Sequence, residues 1–151
     1  MSFPRLDHVA LCPADFEQSL AFYRDGLGLQ IIFDAVIPFD LEPLLGIKTE
    51  SARTIFLGSI DDAIPATVEL LGLTPSDIDQ QPPVAQGARR GLYLISFVLP
   101  VQETLDRLAT LGLGGKPRIM RPPSGNLSAT VTDPDGVLVE MLDRPVSLRP
   151  S

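Results

Sequence analysis

Val68-Glu69-Leu70-Leu71 returns near the end of the chain as Val139-Glu140-Met141-Leu142. In both copies one glutamate stands inside an apolar run with strand character. A buried, unpaired carboxylate costs roughly 2–7 kcal/mol or more, so each needs a partner. The repetition reads as two related halves, each ending in a strand that turns a carboxylate toward one shared place.

Working outward, His8-Val9-Ala10-Leu11 lies over Leu94-Ile95-Ser96-Phe97, and without a gap Gly26-Leu27-Gly28 then falls over Gly112-Leu113-Gly114. The first half predicts a strand over 6–12, stopped by Pro13. A helix follows, with Asp15 as N-cap and Gln18 completing a capping-box pattern. Phe16, Leu20 and Tyr23 share one helical face with Leu27 beyond, and Gly26 is the expected stop. Strands are predicted over 29–37, 54–57 and 66–71, with one helical turn around 41–45. Residues 73–90, rich in Pro, Gln and Asp, read as a linker. The second half predicts a strand over 92–99, a helix over 101–111 stopped by Gly112, and strands over 116–120, 127–132 and 137–142. Asp133-Pro134-Asp135-Gly136 is a tight-turn signal. The whole is one domain over 1–151: module one at about 5–72, the linker, and module two at about 91–143.

Strand side chains alternate faces. By that parity His8, Glu69, Leu94 and Glu140 point to the same side as the small residues Ala10 and Ser96. The opposite set, Val9, Leu11, Val68, Leu70, Ile95, Phe97, Val139 and Met141, is apolar throughout and is expected to meet the helices. The fold class is α+β. Two tandem βαβββ modules form a curved mixed sheet, a cup with the helices on its outer face.

A chain of 151 residues is long enough to bury a real core. Its formal net charge of -7 argues against nucleic acid or an anionic membrane as the main partner. Cys12 is the only cysteine, so no internal disulfide can form; it is expected to be a small buried apolar residue. The first residues lack a signal peptide's apolar core, and no run approaches the roughly 18 apolar residues of a membrane span. The expected location is the reducing cytoplasm. A phosphate loop, a CxxC pair and a dinucleotide fingerprint are all missing from the sequence.

The opening Leu6-Asp7-His8-Val9-Ala10, the run from Phe22 to Leu29 and the closing Asp-Pro-Asp-Gly-x-x-x-Glu that ends on Glu140 resemble the vicinal oxygen chelate superfamily. Its members include glyoxalase I, methylmalonyl-CoA epimerase, extradiol dioxygenases, fosfomycin-resistance enzymes and metal-free bleomycin-binding proteins. The resemblance covers about residues 5–143 and is more specific for fold than for chemistry. It implies metal ligands on the first and fourth strands of each module: His8, Glu69 and Glu140. The remaining ligand position, usually histidine, is Leu94, so a three-ligand site is implied, open to water and a chelating substrate.

One imidazole and two carboxylates suit Mn, Fe(II), Zn or Mg. A glutamate of that shell, Glu140 or Glu69, is the implied catalytic base. Leu94 gives an apolar wall and Ser96 a small one, with Tyr93 as a lining residue. Arg89 and Arg90 are candidates to grip an anionic substrate group, ahead of Arg53 and Arg121. Three functions follow from the resemblance. The first is a divalent-metal-dependent lyase or isomerase that acts on a small, partly apolar oxygenated molecule and moves a proton next to a carbonyl. The second is a metal-free module binding a drug or metabolite, with His8 hydrogen-bonded to one carboxylate. The third, a ring-cleaving dioxygenase, is disfavoured because it wants the second histidine that Leu94 replaces. The resemblance also implies a homodimer.

Overall fold

Apolar runs, and the prolines and glycines that stop them, set the element boundaries. The computed structural model describes residues 4, 6–62, 66–74 and 90–146. Its elements are β1 (Val9–Leu11), α1 (Phe16–Leu20, continued by a π-helical segment Ala21–Gly26), β2 (Gln30–Ile37), α2 (Glu42–Leu45), β3 (Ser51–Gly58), β4 (Ala66–Thr74), β5 (Leu94–Val98), α3 (Val101–Leu111), β6 (Gly114–Met120), β7 (Ser128–Thr132) and β8 (Leu138–Leu142). Most of the expected linker, residues 75–89, lies outside the described residues. The chain divides into two compact units, Met1–Arg24 with Gly28–Gln81, and Asp25–Leu27 with Pro82–Ser151.

In the first unit the strands run in the order β1-β4-β3-β2, with β1 parallel to β4 and the other pairs antiparallel. The register sets Ala10 and Phe56 on either side of Glu69. Val68, Leu70, Ile55 and Leu57 bury the opposite face. Asp15 caps α1, its Oδ1 accepting the N–H groups of Glu17 at 2.8 Å and Gln18 at 3.2 Å. The helix then widens into a π turn. A 3.6-residue period buries Tyr23 with Leu20 but turns Phe22 away. The wider turn brings both aromatic side chains inside, fully buried, with rings 4.9 Å apart and T-shaped. The segment ends at Gly26, as expected, and the chain then turns at Gly28, whose φ of 85° only glycine adopts readily.

Gly72 is where α1 presses on the sheet. A Cβ there would stand 2.6 Å from Phe16 Cε2. The Phe16 ring also carries the Arg53 guanidinium 4.8 Å above its centre. Gly72→Ala should therefore push the half-buried ring aside, weaken that cation–π contact and cost about 1 kcal/mol, the low end for overpacking. A thermal melt of the variant unchanged from wild type would refute this.

The second unit repeats the frame. Its order is β5-β8-β7-β6, with β5 parallel to β8. Ser96 and Thr130 flank Glu140 in register. Ile95, Ala129, Val131, Val139 and Met141 form the buried side, with Val101, Leu105 and Leu108 of α3. Pro100, at the cap position of α3, has no side-chain acceptor to offer. Asp143 supplies it from the end of β8: one carboxylate oxygen accepts the Val101 N–H at 2.9 Å, the other the Leu127 N–H at 2.7 Å. These two N–H groups hold the Asp143 carboxyl below the usual carboxylate range. A depressed pKa contributes stability that is present above the ordinary value and lost as pH falls through the folded one. Asp143→Ala should therefore melt below wild type at pH 7, with the gap narrowing in acid. A gap that stays constant down to pH 2 would contradict this.

Three local expectations are corrected. The ladder of β1 with β4 spans only Val9 to Leu11, so His8 sits just ahead of the strand. β5 begins at Leu94, leaving Leu92 and Tyr93 exposed before it. Cys12 is exposed rather than buried, because it lies past the end of β1 beside Pro13. Conversely β3 and β4 run further than their apolar cores suggest, over the polar Arg53 and the bare Gly72. Among the described residues no helix is long and apolar enough to cross a membrane.

Candidate functional site

The first unit brings two of the implied ligands into contact. His8 Nε2 stands 3.2 Å from Glu69 Oε2. The other ring nitrogen, Nδ1, lies 2.7 Å from Asp7 Oδ1. Thr54 donates its hydroxyl to Glu69 Oε1 at 2.6 Å. The half-buried imidazole is further fixed by the edge-to-face ring of Phe56, 5.0 Å between centroids, and Phe33 stands beside Phe56 at 6.3 Å. Phe33 is 49% exposed.

The His8–Glu69 pair has the spacing of two donors on one divalent cation. A small divalent ion holds nitrogen and oxygen donors about 2.0–2.2 Å away, so neighbouring donors on it stand about 3 Å apart. Nε2 and Oε2 meet that spacing. With Nδ1–H donated to Asp7, a neutral His8 would offer Nε2 as the donor atom, and Thr54 orients the carboxylate, which is the outer support metal ligands usually carry. Among the described residues no group of three or more His, Cys, Asp or Glu side chains is gathered closely enough to hold an ion.

In the second unit Ser96 donates its hydroxyl to Glu140 Oε2 at 2.7 Å. The other oxygen of Glu140 has no hydrogen-bond partner among the described residues. Leu94 opens β5 half-buried, at the place matching His8 in the repeat, and pairs with Leu138. Glu140 lines a cleft of about 260 Å³ with Arg118, Met120, Ser128 and Thr130.

The other sequence candidates are placed as follows. Tyr93 is 42% exposed, Arg90 is exposed in a bend, and Arg89 lies outside the described residues. Arg53 is committed elsewhere, pairing with Asp34 through two hydrogen bonds of 2.9 and 3.1 Å. That hydrogen-bonded guanidinium holds the Asp34 carboxyl below its usual range and is itself raised. Arg121 reaches Gln102 at 3.5 Å. Sequence reasoning missed Thr54, Phe56 and Arg118. Thr54 and Phe56 share the parity of Glu69 once β3 is laid antiparallel beside β4, so correct pairing of those two strands would have found them.

A family model, "Glyoxalase/Bleomycin resistance protein/Dioxygenase superfamily", matches residues 5–141. A "Lactoylglutathione lyase-like protein terB" of Aspergillus terreus is 36% identical over 152 aligned positions, covering 91% of this chain and 74% of that protein. A glyoxalase family protein of Bacillus cereus has a similar structure, with a TM-score of 0.75 at 13% identity over 94% of this chain and 95% of its own. So has FosX, a fosfomycin resistance protein of Listeria monocytogenes, in complex with Mn(II) and a dihydroxypropylphosphonic acid. Its TM-score is 0.58 at 17% identity over 96% of each chain.

Proposed function

The chain belongs to the glyoxalase/bleomycin resistance protein/dioxygenase superfamily, and we propose that within it this protein is a divalent-metal-dependent lyase or isomerase. Its protein ligands are His8, Glu69 and Glu140, and its substrate is a small, partly apolar oxygenated molecule. The observation that carries the proposal is the His8–Glu69 pair, spaced for one ion and supported on its outer side by Asp7 and Thr54. The name of the Aspergillus relative, a lactoylglutathione lyase-like protein, and the Mn(II) bound by FosX support the same reading.

A cation at these ligands supplies polarisation of a substrate carbonyl, which acidifies the adjacent C–H. The chain's own residues do the rest. Glu140 takes the proton from the carbon next to the carbonyl with the oxygen that Ser96 does not hold, and returns it to the neighbouring carbon. Atoms balance without an oxidant: one C–H bond breaks and another forms. Beside the His8–Glu69 pair, the Phe56 ring and the exposed Phe33 offer an apolar surface. The same reading has the protein working in the cytoplasm as a homodimer, which light scattering in solution measures.

The test has two arms. Protein loaded with Mn(II) and dialysed should retain one ion per chain by elemental analysis. In D₂O it should exchange the C2 proton of S-lactoylglutathione, followed by proton NMR. Absence of retained metal overturns the proposal. It would favour the second reading, a metal-free small-molecule binding protein. That reading draws on one specific observation: Leu94, at the matching position of the repeat, offers no donor.

A further inference from the structure

The cations that the sequence offered for gripping a negative substrate group are engaged elsewhere, away from the cleft of Glu140 or outside the described residues, whereas one exposed, unengaged guanidinium lines that cleft. Arg118 lies on β6, directly in register with Thr130 on β7, which is itself in register with Glu140 on β8. The three side chains therefore stand in one row across neighbouring strands, about 5 Å apart per strand step at the backbone. All three line the 260 Å³ cleft. The Arg118 side chain makes no hydrogen bond or ion pair with any described residue. Glu140 does not claim it, being bonded to Ser96 instead.

A guanidinium presents a planar fork of donors that matches a carboxylate in two parallel bonds. The hydroxyls of Ser128 and Thr130 line the floor beside it, each able to add a donor. Met120 and Ile119 line the same cleft and offer apolar contact. An anion held by Arg118 would sit within one small molecule's length of the Glu140 carboxylate. The like charge of Glu140 discourages placing that anion closer, so the row itself measures out the ligand: acidic head at one end, reacting carbon at the other.

We propose that Arg118 is the specificity-determining residue of this site and that it selects substrates carrying a carboxylate, a 2-oxo or 2-hydroxy acid rather than its neutral counterpart. This rests on the functional reading above only in taking Glu140 as the reacting group; the binding preference itself needs no metal.

The experiment compares phenylglyoxylate with its neutral methyl ester, by calorimetry on the full chain, with and without Mn(II). Wild type should bind the acid about tenfold or more tightly than the ester, the usual worth of a charge-assisted hydrogen-bonded pair. Arg118→Met keeps the apolar stem and should erase the preference. Arg118→Lys keeps the charge without the fork and should restore part of it. Thr130→Val should lower acid affinity without changing ester affinity. Equal affinity of wild type for acid and ester overturns the proposal, as does a preference that survives in Arg118→Met. A preference seen equally in metal-free protein that retains no Mn(II) would sustain the Arg118 assignment while removing the lyase reading. Retained Mn(II) with no preference would do the reverse.

Discussion

Glu140→Gln will leave the fold standing and stop proton transfer. Mn(II) retention should fall as for the other two ligands, and with Mn(II) in excess the expected loss in the rate of C2 proton exchange is about 10²–10⁴-fold, the usual contribution of a positioned general base. Glutamine keeps the shape of the side chain, and its amide oxygen can still accept the Ser96 hydroxyl that now lies 2.7 Å from Glu140. The side chain is part-buried on the cleft face of β8, so losing its charge should hold the melting temperature or raise it. The two readouts together separate a catalytic role from a structural one. A variant that exchanges protons at the wild-type rate would show that another group is the base. A variant that fails to fold would show that the carboxylate is needed by the sheet, and Ser96→Ala, which removes only its hydroxyl partner, would then be the variant to assay.

The second large effect is expected at the imidazole–carboxylate pair. His8→Ala and Glu69→Gln should each weaken Mn(II) retention by more than 100-fold. Losing a direct ligand should exceed the roughly 10–100-fold cost of losing an outer partner. Thr54→Val removes such a partner from Glu69 and should fall inside that smaller range. This graded series distinguishes an ion site from a plain hydrogen bond between His8 and Glu69. If the pair merely stabilises the sheet, all three variants lower the melting temperature and none changes metal retention. Titration calorimetry with Mn(II), beside thermal melts, decides between them.

Much of this arrangement was legible from residue order alone. The twin Val-Glu strands, the ungapped repeat and face parity were enough to set His8 with Glu69, and Ser96 with Glu140, opposite the apolar set, though they read the strands as one curved sheet where each unit has its own. They were enough because a period of two leaves no freedom once a strand's buried face is known. Val68 and Leu70 settle where Glu69 points, as Val139 and Met141 do for Glu140. The helix over 101–111 was equally clear, since Pro100 and Gly112 bracket it.

What escaped had a different physical origin. Arg118 was overlooked because β6 reads as a polar, glycine-led stretch, and only its register with Thr130 shows which cleft it enters. The widening of α1 into a π turn was hidden because Phe22 and Tyr23 are neighbours, and a regular helical period allows only one of them inside. Asp143 as the cap of α3 could not be inferred locally, for it reaches back from the far end of the module. Cys12 was misplaced for want of the true end of β1.

That reach of Asp143 has a consequence for how the second unit comes apart. One side chain ties together the exit of β8, the first turn of α3 and the entry to β7, segments that are remote along the polymer. Fraying of the carboxy-terminal tail past this residue would leave all three untouched, whereas fraying by one residue more would release them together. The boundary of cooperative unfolding in this half of the molecule is therefore sharp, and any shortened version that ends at Leu142 forfeits a clasp as well as a residue.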